Sequence, residues 1–175
     1  NTMILVWFTN LIAKVVTKLI YEPENKEDKA FRLKYIEAGP LATPELATEQ
    51  AFKEIIHFAE ISRKGLGYAR SAINAANPDE FEEYRAKLVK YEEIADRIDY
   101  EIAAFLNAVS TEEISVATSY KIKAMYKIIG ELESLGDSGE SISRILSRKN
   151  VHKKEFDAEA LKKLNSMVGL VDKAY

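Results

Sequence analysis

The chain has 175 residues, of which 47% are hydrophobic and 30% are charged, and this composition is typical of an ordinary globular protein. It contains no cysteine, which excludes disulfide bonds, thiolate catalysis and cysteine-ligated zinc. The formal net charge of −3 and the lack of a basic stripe argue against nucleic acid as a partner. Since there are only two histidines, a bound metal ion is expected to be held by oxygen ligands.

Residues 1–21 form an apolar segment that differs from the rest of the chain. A dense apolar run begins at Met3, and Lys14 and Lys18 interrupt the apolar residues that follow. The uninterrupted part is shorter than the roughly 20 residues of a membrane span, and its positive charges follow the run, unlike those of a signal peptide. We expect either a helix packed on the domain or the end of a membrane span. Because the chain begins at Asn1 rather than at a methionine, we expect a fragment or a processed product.

The remaining sequence predicts an all-α protein. Residues 22–43 are polar and are predicted to form a linker. Residues 44–149 contain three amphipathic segments of about thirty residues each, joined by tight turns, and residues 150–175 contain a C-terminal helix. No segment alternates in polarity with a period of two, so no strand is predicted. The pattern favours an antiparallel bundle of three long helices, with an extra apolar helix before it and one helix after it.

Proline and small polar residues mark the predicted helix starts. Pro44 follows Thr43, and Pro78 follows Asn77, so a proline stands in the first turn behind a capping residue in both helices. The third helix is predicted to open at Ser110, and a basic break over residues 148–150 is predicted to precede the last helix. Among the apolar residues expected to face the core are Leu46, Phe52, Ile55, Ile56, Phe81, Ile102, Ile128, Leu132, Met167 and Val168.

Two sets of three carboxylates flank the apolar arcs of the second and third predicted helices. The first and last members of each set lie at the border of the arc, and the middle member lies one step further out. Like charges at this spacing repel, so the sets require a cation or basic partners. Two interpretations stay open: a solvated face balanced by neighbours such as Arg144, or a carboxylate metal site between helices. The six residues are Glu92, Asp96, Asp99, Glu133, Asp137 and Glu140.

The sequence around these carboxylates resembles the PhoU family of phosphate regulators. Residues 132–142 resemble its "LERIGD-x-x-EN-I" stretch, and residues 91–99 resemble its first Glu-x-x-x-Asp motif. Ser134 and Ser141 stand where the family usually has Arg and Asn. The resemblance implies a PhoU-like three-helix bundle whose acidic motifs bind a divalent or trivalent metal ion. Carried over by position, it assigns that role to Glu92, Asp96, Asp99, Glu133, Asp137 and Glu140.

The N-terminal arrangement is similar to the C-terminal portion of bacterial sodium–phosphate cotransporters, in which a PhoU-like domain follows the last membrane helix. Residues 41–47 match the "TP-x-LA" opening of that domain, and the resemblance covers about residues 1–148. It implies a non-catalytic regulatory domain of a sodium-dependent phosphate transporter, attached to the cytoplasmic face of the bacterial membrane. The implied partner is the membrane portion of the same polypeptide, and an exposed apolar N-terminus also invites homo-oligomers.

Two alternatives differ from this function. The first is a soluble PhoU-type adaptor that regulates a separate phosphate transporter or sensor kinase. The second is a carboxylate-bridged metal enzyme, which requires carboxylates of both sets to lie about 2–2.6 Å from a common ion.

Overall fold

The computed structural model describes residues 33–36 and 43–175, which form four helices. In chain order these are α1 (Pro44–Ile73), α2 (Pro78–Ser110), α3 (Val116–Val151) and α4 (Ala158–Ala174). The first three contain 30, 33 and 36 residues, so the prediction of three helices of about thirty residues is confirmed. Within the described residues there is no strand, as predicted. The apolar helix predicted over residues 1–21 and most of the predicted linker lie outside the described residues.

Local capping determines where α2 begins. The Asn77 side chain accepts a hydrogen bond from the Glu80 backbone N–H at 2.9 Å. The Glu80 carboxylate accepts one from the Ala76 backbone N–H at 2.8 Å. This reciprocal arrangement satisfies two backbone donors at the start of the helix, as in a capping box. It explains why the start of α2 at Pro78 could be predicted from the sequence.

The prediction that the third helix opens at Ser110 is wrong. α2 continues through Ser110, and α3 begins only at Val116. The Ser115 hydroxyl accepts a hydrogen bond from the Thr118 backbone N–H at 3.1 Å, so Ser115 rather than Ser110 supplies the cap. Both serines lie in a run of polar residues with helix-capping character, and the sequence pattern favoured the wrong one.

The break before the last helix lies further along the chain than predicted. α3 continues past Arg148 to Val151, and α4 begins at Ala158. The Asp157 carboxylate caps α4 by accepting a hydrogen bond from the Ala160 backbone N–H at 2.7 Å. Basic residues are favoured in the last turn of a helix, so the basic run ends α3 instead of separating the helices.

The helices pack as a bundle, which confirms the coarser fold prediction. α1 contacts both α2 and α3, α2 contacts α3, and α4 contacts α1. Arg63 pairs with Asp172 at 2.8 Å, and the side-chain amides of Asn74 and Asn165 exchange hydrogen bonds, so α4 runs antiparallel to α1. The largest fully buried apolar side chains are Phe58, Ile98, Ile102, Leu106 and Val109.

Several residues predicted to face the core are exposed instead. Leu46, Phe52 and Ile56 on α1 are each about half exposed. α1 turns its small side chains, such as Ala47 and Ala51, inwards because they allow close helix packing, and the larger ones then fall outside the buried arc. Ile128 on α3 and Met167 on α4 are also exposed, whereas Ile55, Phe81, Ile102, Leu132 and Val168 are buried as predicted.

None of the helices described within residues 33–36 and 43–175 combines the length and the apolar character needed to cross a membrane.

Candidate functional site

The six carboxylates predicted as metal ligands lie on two helices that contact each other. One set is on α2 and the other on α3. Asp96 and Asp137, the middle members of the two sets, are exposed, and the four others are partly buried. This is the distribution that the helical angles predict. We refer to the six residues as the carboxylate surface: Glu92, Asp96, Asp99, Glu133, Asp137 and Glu140.

The electrostatics of Glu92 join the two sets. Burial raises the pKa of Glu92, and the negative charges of Asp96 and Glu140 raise it further. Asp137 and Glu93 act in the same direction. Since Glu140 and Asp137 belong to α3, the repulsion on this α2 carboxylate crosses from one helix to the other. The two sets therefore form one electrostatic unit.

The same coupling acts in the opposite direction, from α2 onto α3. Burial raises the pKa of Glu133, and the charges of Asp137, Asp99 and Asp96 add to the effect. Burial also raises the pKa of Asp99, again with a contribution from Asp96. The protein thus holds partly buried carboxylates close together at a cost in repulsion, which a bound cation would relieve.

Arg144 balances part of this charge, as the solvated-face interpretation predicts. An Arg144 guanidinium nitrogen lies 3.1 Å from Glu140 Oε2 at i+4 spacing. Because the Arg144 side chain is mostly exposed, this pair contributes little to the stability of the fold. Arg144 also donates to the Ser141 hydroxyl at 3.3 Å. The Ser134 hydroxyl donates to the Gly130 backbone carbonyl at 2.8 Å and is therefore engaged within its own helix.

Within residues 33–36 and 43–175, no group of three or more histidine, aspartate or glutamate side chains is arranged to hold a metal ion. The donor set nevertheless fits a hard or borderline cation in its chemistry, since all six ligands are carboxylate oxygens. The helices that carry the two sets contact each other, but in the described residues the carboxylates do not converge on one point. The predicted metal site stays a prediction.

A buried carboxylate on α1 was missed by sequence reasoning. Glu54 is fully buried, and its Oε2 accepts hydrogen bonds from the backbone N–H groups of Lys34 and Tyr35, both at 2.7 Å. In the sequence, its burial is indicated only by helical spacing, which places Glu54 on the same side of α1 as Ala51 and Phe58. That side faces the core. Glu54 therefore fastens residues 33–36 to the bundle.

His57 lies one turn further along α1 and is also buried. Its Nδ1 lies 3.4 Å from Lys34 Nζ and 3.8 Å from Glu60 Oε2. Burial lowers the pKa of His57, and the positive charge of Lys34 lowers it further, against the opposing effects of Glu54 and Glu60. The burial of His57 places its imidazole at the edge of the core.

An apolar groove lies between α1 and α3, away from the carboxylate surface. It has a volume of about 430 Å³, and the exposed side chains of Phe52 and Ile128 contribute to its lining. Lys53 and Lys121 also line it. Since neither set of carboxylates contributes to the groove, it belongs to a different part of the surface.

Comparison of the chain with protein-family models, with curated proteins and with solved structures found no match. The resemblance to the PhoU family therefore stays a prediction carried by the residues themselves.

Proposed function

We propose that this chain is a non-catalytic regulatory domain whose carboxylate surface binds a divalent or trivalent cation. On the resemblance of its acidic motifs, we place it as the PhoU-like domain of a sodium-dependent phosphate transporter. It would then act at the cytoplasmic face of the bacterial membrane, with the membrane portion of the same polypeptide as its partner.

The observation that carries the proposal is the coupling of the two carboxylate sets across the contact between α2 and α3. Burial and the charges of Asp96, Glu140 and Asp137 raise the pKa of Glu92. A cation placed among these groups would remove the repulsion, so it would bind more favourably here than at a single exposed carboxylate.

Cation binding offers a simple way to transmit a signal. In its absence, like charges on α2 and α3 favour a slightly wider spacing of the two helices. When a cation is bound, carboxylates from both helices are attracted to it, and this attraction draws the two helices together. A cation that binds the closer arrangement better shifts the population towards it, and α1 contacts both helices and would sense the change.

The experiment measures phosphate uptake by cells that express the full-length gene product, either as wild type or with Glu92→Gln and Asp137→Asn together. A matched control carries Glu82→Gln and Glu159→Gln, which also removes two negative charges but lies outside the carboxylate surface. We expect uptake to persist in all three, while its dependence on the concentration of divalent cation changes only in the Glu92 and Asp137 variant.

Unchanged regulation in the Glu92 and Asp137 variant would overturn the proposal. If the gene product has no uptake activity of its own but its variant alters uptake through a separate transporter, the soluble adaptor is the correct alternative.

A further inference from the structure

A cavity of about 260 Å³ lies at the opposite end of α2 from the α2–α3 turn. The last turn of α1, the first turn of α2 and the turn between α3 and α4 enclose it. Its apolar lining includes Ile73 and Phe81, which belong to the core cluster that α4 covers. Its polar lining includes Lys149, Lys153 and Lys154. We call it the lysine cavity.

In the part of the chain that the structure describes, the lining of the lysine cavity carries more positive than negative charge. Within the described part of the chain, none of the three lysines forms an ion pair. Glu155 is the one acidic residue in the same lining, beside the three lysines. The Lys149 ammonium lies 5.5 Å from the centre of the Phe156 ring, a distance suited to a cation–π contact.

Lys153 occupies a backbone position at which glycine is favoured. The Lys154 backbone N–H donates to the Lys149 carbonyl, and that of Lys153 donates to the Asn150 carbonyl, both at 3.0 Å. These two bonds define a Schellman turn, in which the residue after the helix cap takes a left-handed conformation. Lys153 has a φ of 51°, and among the described residues it alone of the non-glycines has a positive φ.

A lysine at this position costs about 1 kcal/mol relative to glycine, because its Cβ approaches the following carbonyl. The helix dipole explains a cation in the last turn of α3, where Lys149 lies, but not the lysines beyond the helix end. The left-handed backbone of Lys153 lies in the wall of the cavity, where its side chain adds a third positive charge to the lining.

We propose that the lysine cavity binds a phosphoryl dianion, either free or carried on a small ester. Ammonium groups bind phosphate oxygens as point charges and therefore need no fixed bidentate geometry. The amides of Asn77 and Asn150 also line the cavity and add hydrogen-bonding groups. The cavity volume of about 260 Å³ leaves room for a phosphate ion or a small phosphate ester.

This site is separate from the carboxylate surface, and its existence does not depend on the proposed regulatory function. The three lysines lie on α3 beyond residue 148 and in the turn that follows, whereas the carboxylates end at Glu140. The two sites can therefore be tested independently.

The test is isothermal titration calorimetry of the 175-residue chain with ribose 5-phosphate, inorganic phosphate and ribose. We expect saturable binding of ribose 5-phosphate and none of ribose. Lys149→Gln together with Lys154→Gln is expected to weaken the binding by about tenfold or more. A matched control, Lys162→Gln with Lys163→Gln, removes the same charge from exposed positions on α4 and is expected to change the affinity less than about twofold.

Lys153→Gly separates binding from folding. It relieves the backbone cost and removes the ammonium group, so we expect the melting temperature to rise or stay constant while the affinity falls. Equal affinity for inorganic phosphate would identify the free ion as the natural ligand. Absence of phosphate and ester binding at millimolar concentration, or equal weakening in both lysine pairs, would overturn the proposal.

Discussion

Glu92 on α2 and Asp137 on α3 repel each other across the contact between their helices. Burial raises the pKa of Glu92, and the negative charge of Asp137 contributes to the rise. The two residues are 45 positions apart in the sequence (137 − 92) and lie on different helices. Their charges interact only because the bundle packs these two helices against each other. The protein retains this repulsion at a surface where lysine or glutamine would avoid it, which is the physical basis for proposing a cation site.

Glu92→Gln should stabilise the protein in the absence of added cations. The substitution removes a partly buried charge that its neighbours repel, and we expect the free energy of unfolding to rise by a few tenths to about 1 kcal/mol. For a chain of this size, about 1 kcal/mol corresponds to a rise of about 2–4 °C in melting temperature. Circular dichroism at neutral pH and low ionic strength measures the change.

Glu82→Gln is the matched control, because Glu82 pairs with Arg85 at 2.8 Å. Its melting temperature should stay constant or fall slightly. A fall for Glu92→Gln and a rise for Glu82→Gln would contradict the account of the electrostatics.

The His57 environment predicts a loss of stability in mild acid. Burial and the Lys34 charge lower the pKa of His57 from its usual 6.5, so the unfolded chain binds the proton more readily than the folded protein. The free energy of unfolding therefore falls as the pH drops through 6.5, the usual pKa of histidine. The fall ends once the pH is below the lowered pKa of His57 in the folded protein. Urea unfolding between pH 7.5 and about 5 measures this dependence.

Partly buried carboxylates with raised pKa values act in the opposite direction at lower pH, so the comparison is made with His57→Gln. The wild type should lose more stability than this variant over the same range. The exposed His152 provides the control, and His152→Gln should follow the wild type. Parallel curves for the wild type and His57→Gln would refute the prediction.

Core truncation should distinguish the buried and exposed isoleucines that the sequence pattern treats alike. Ile102 is fully buried, and Ile102→Ala should lower the free energy of unfolding by about 2–5 kcal/mol. Ile56 is about half exposed, and Ile56→Ala should change it by less than about 0.5 kcal/mol. Chemical denaturation of the two variants measures the difference. If the two variants lost similar free energies of unfolding, the side of α1 that carries Ile56 would have to be buried in the protein in solution.

Glu54 should control the protection of two backbone amides. Its carboxylate accepts the N–H groups of Lys34 and Tyr35, and hydrogen bonds to a charged acceptor contribute about 1.5–3 kcal/mol each. In Glu54→Gln the neutral amide is a weaker acceptor, so both amides should exchange with solvent faster. Hydrogen exchange followed by NMR measures this, with Glu60→Gln as the control. Unchanged exchange in Glu54→Gln would show that these bonds do not hold residues 33–36.

The fold class could be predicted because helical periodicity is a local property of the sequence. The length of the three helices and the capping of α2 by Asn77 follow from residues within one or two turns. The relative burial within the carboxylate surface was also predictable, since the helical angle alone places Asp96 and Asp137 further out than their neighbours.

What could not be predicted depends on tertiary packing. Ala47 and Ala51 face inwards because α1 lies close to its neighbours, and this choice leaves Phe52 and Ile56 outside. The burial of Glu54 could not be predicted because its hydrogen-bond donors come from residues 20 and 19 positions earlier in the chain.

The most direct test of the central claim is calorimetric titration of the 175-residue chain with Mn²⁺. The wild type and the control with Glu82→Gln and Glu159→Gln should bind Mn²⁺ with the same affinity. The variant with Glu92→Gln and Asp137→Asn should bind it about tenfold more weakly or not at all. Equal binding by all three proteins, or no binding by the wild type, would contradict the claim that these two helices form a cation site.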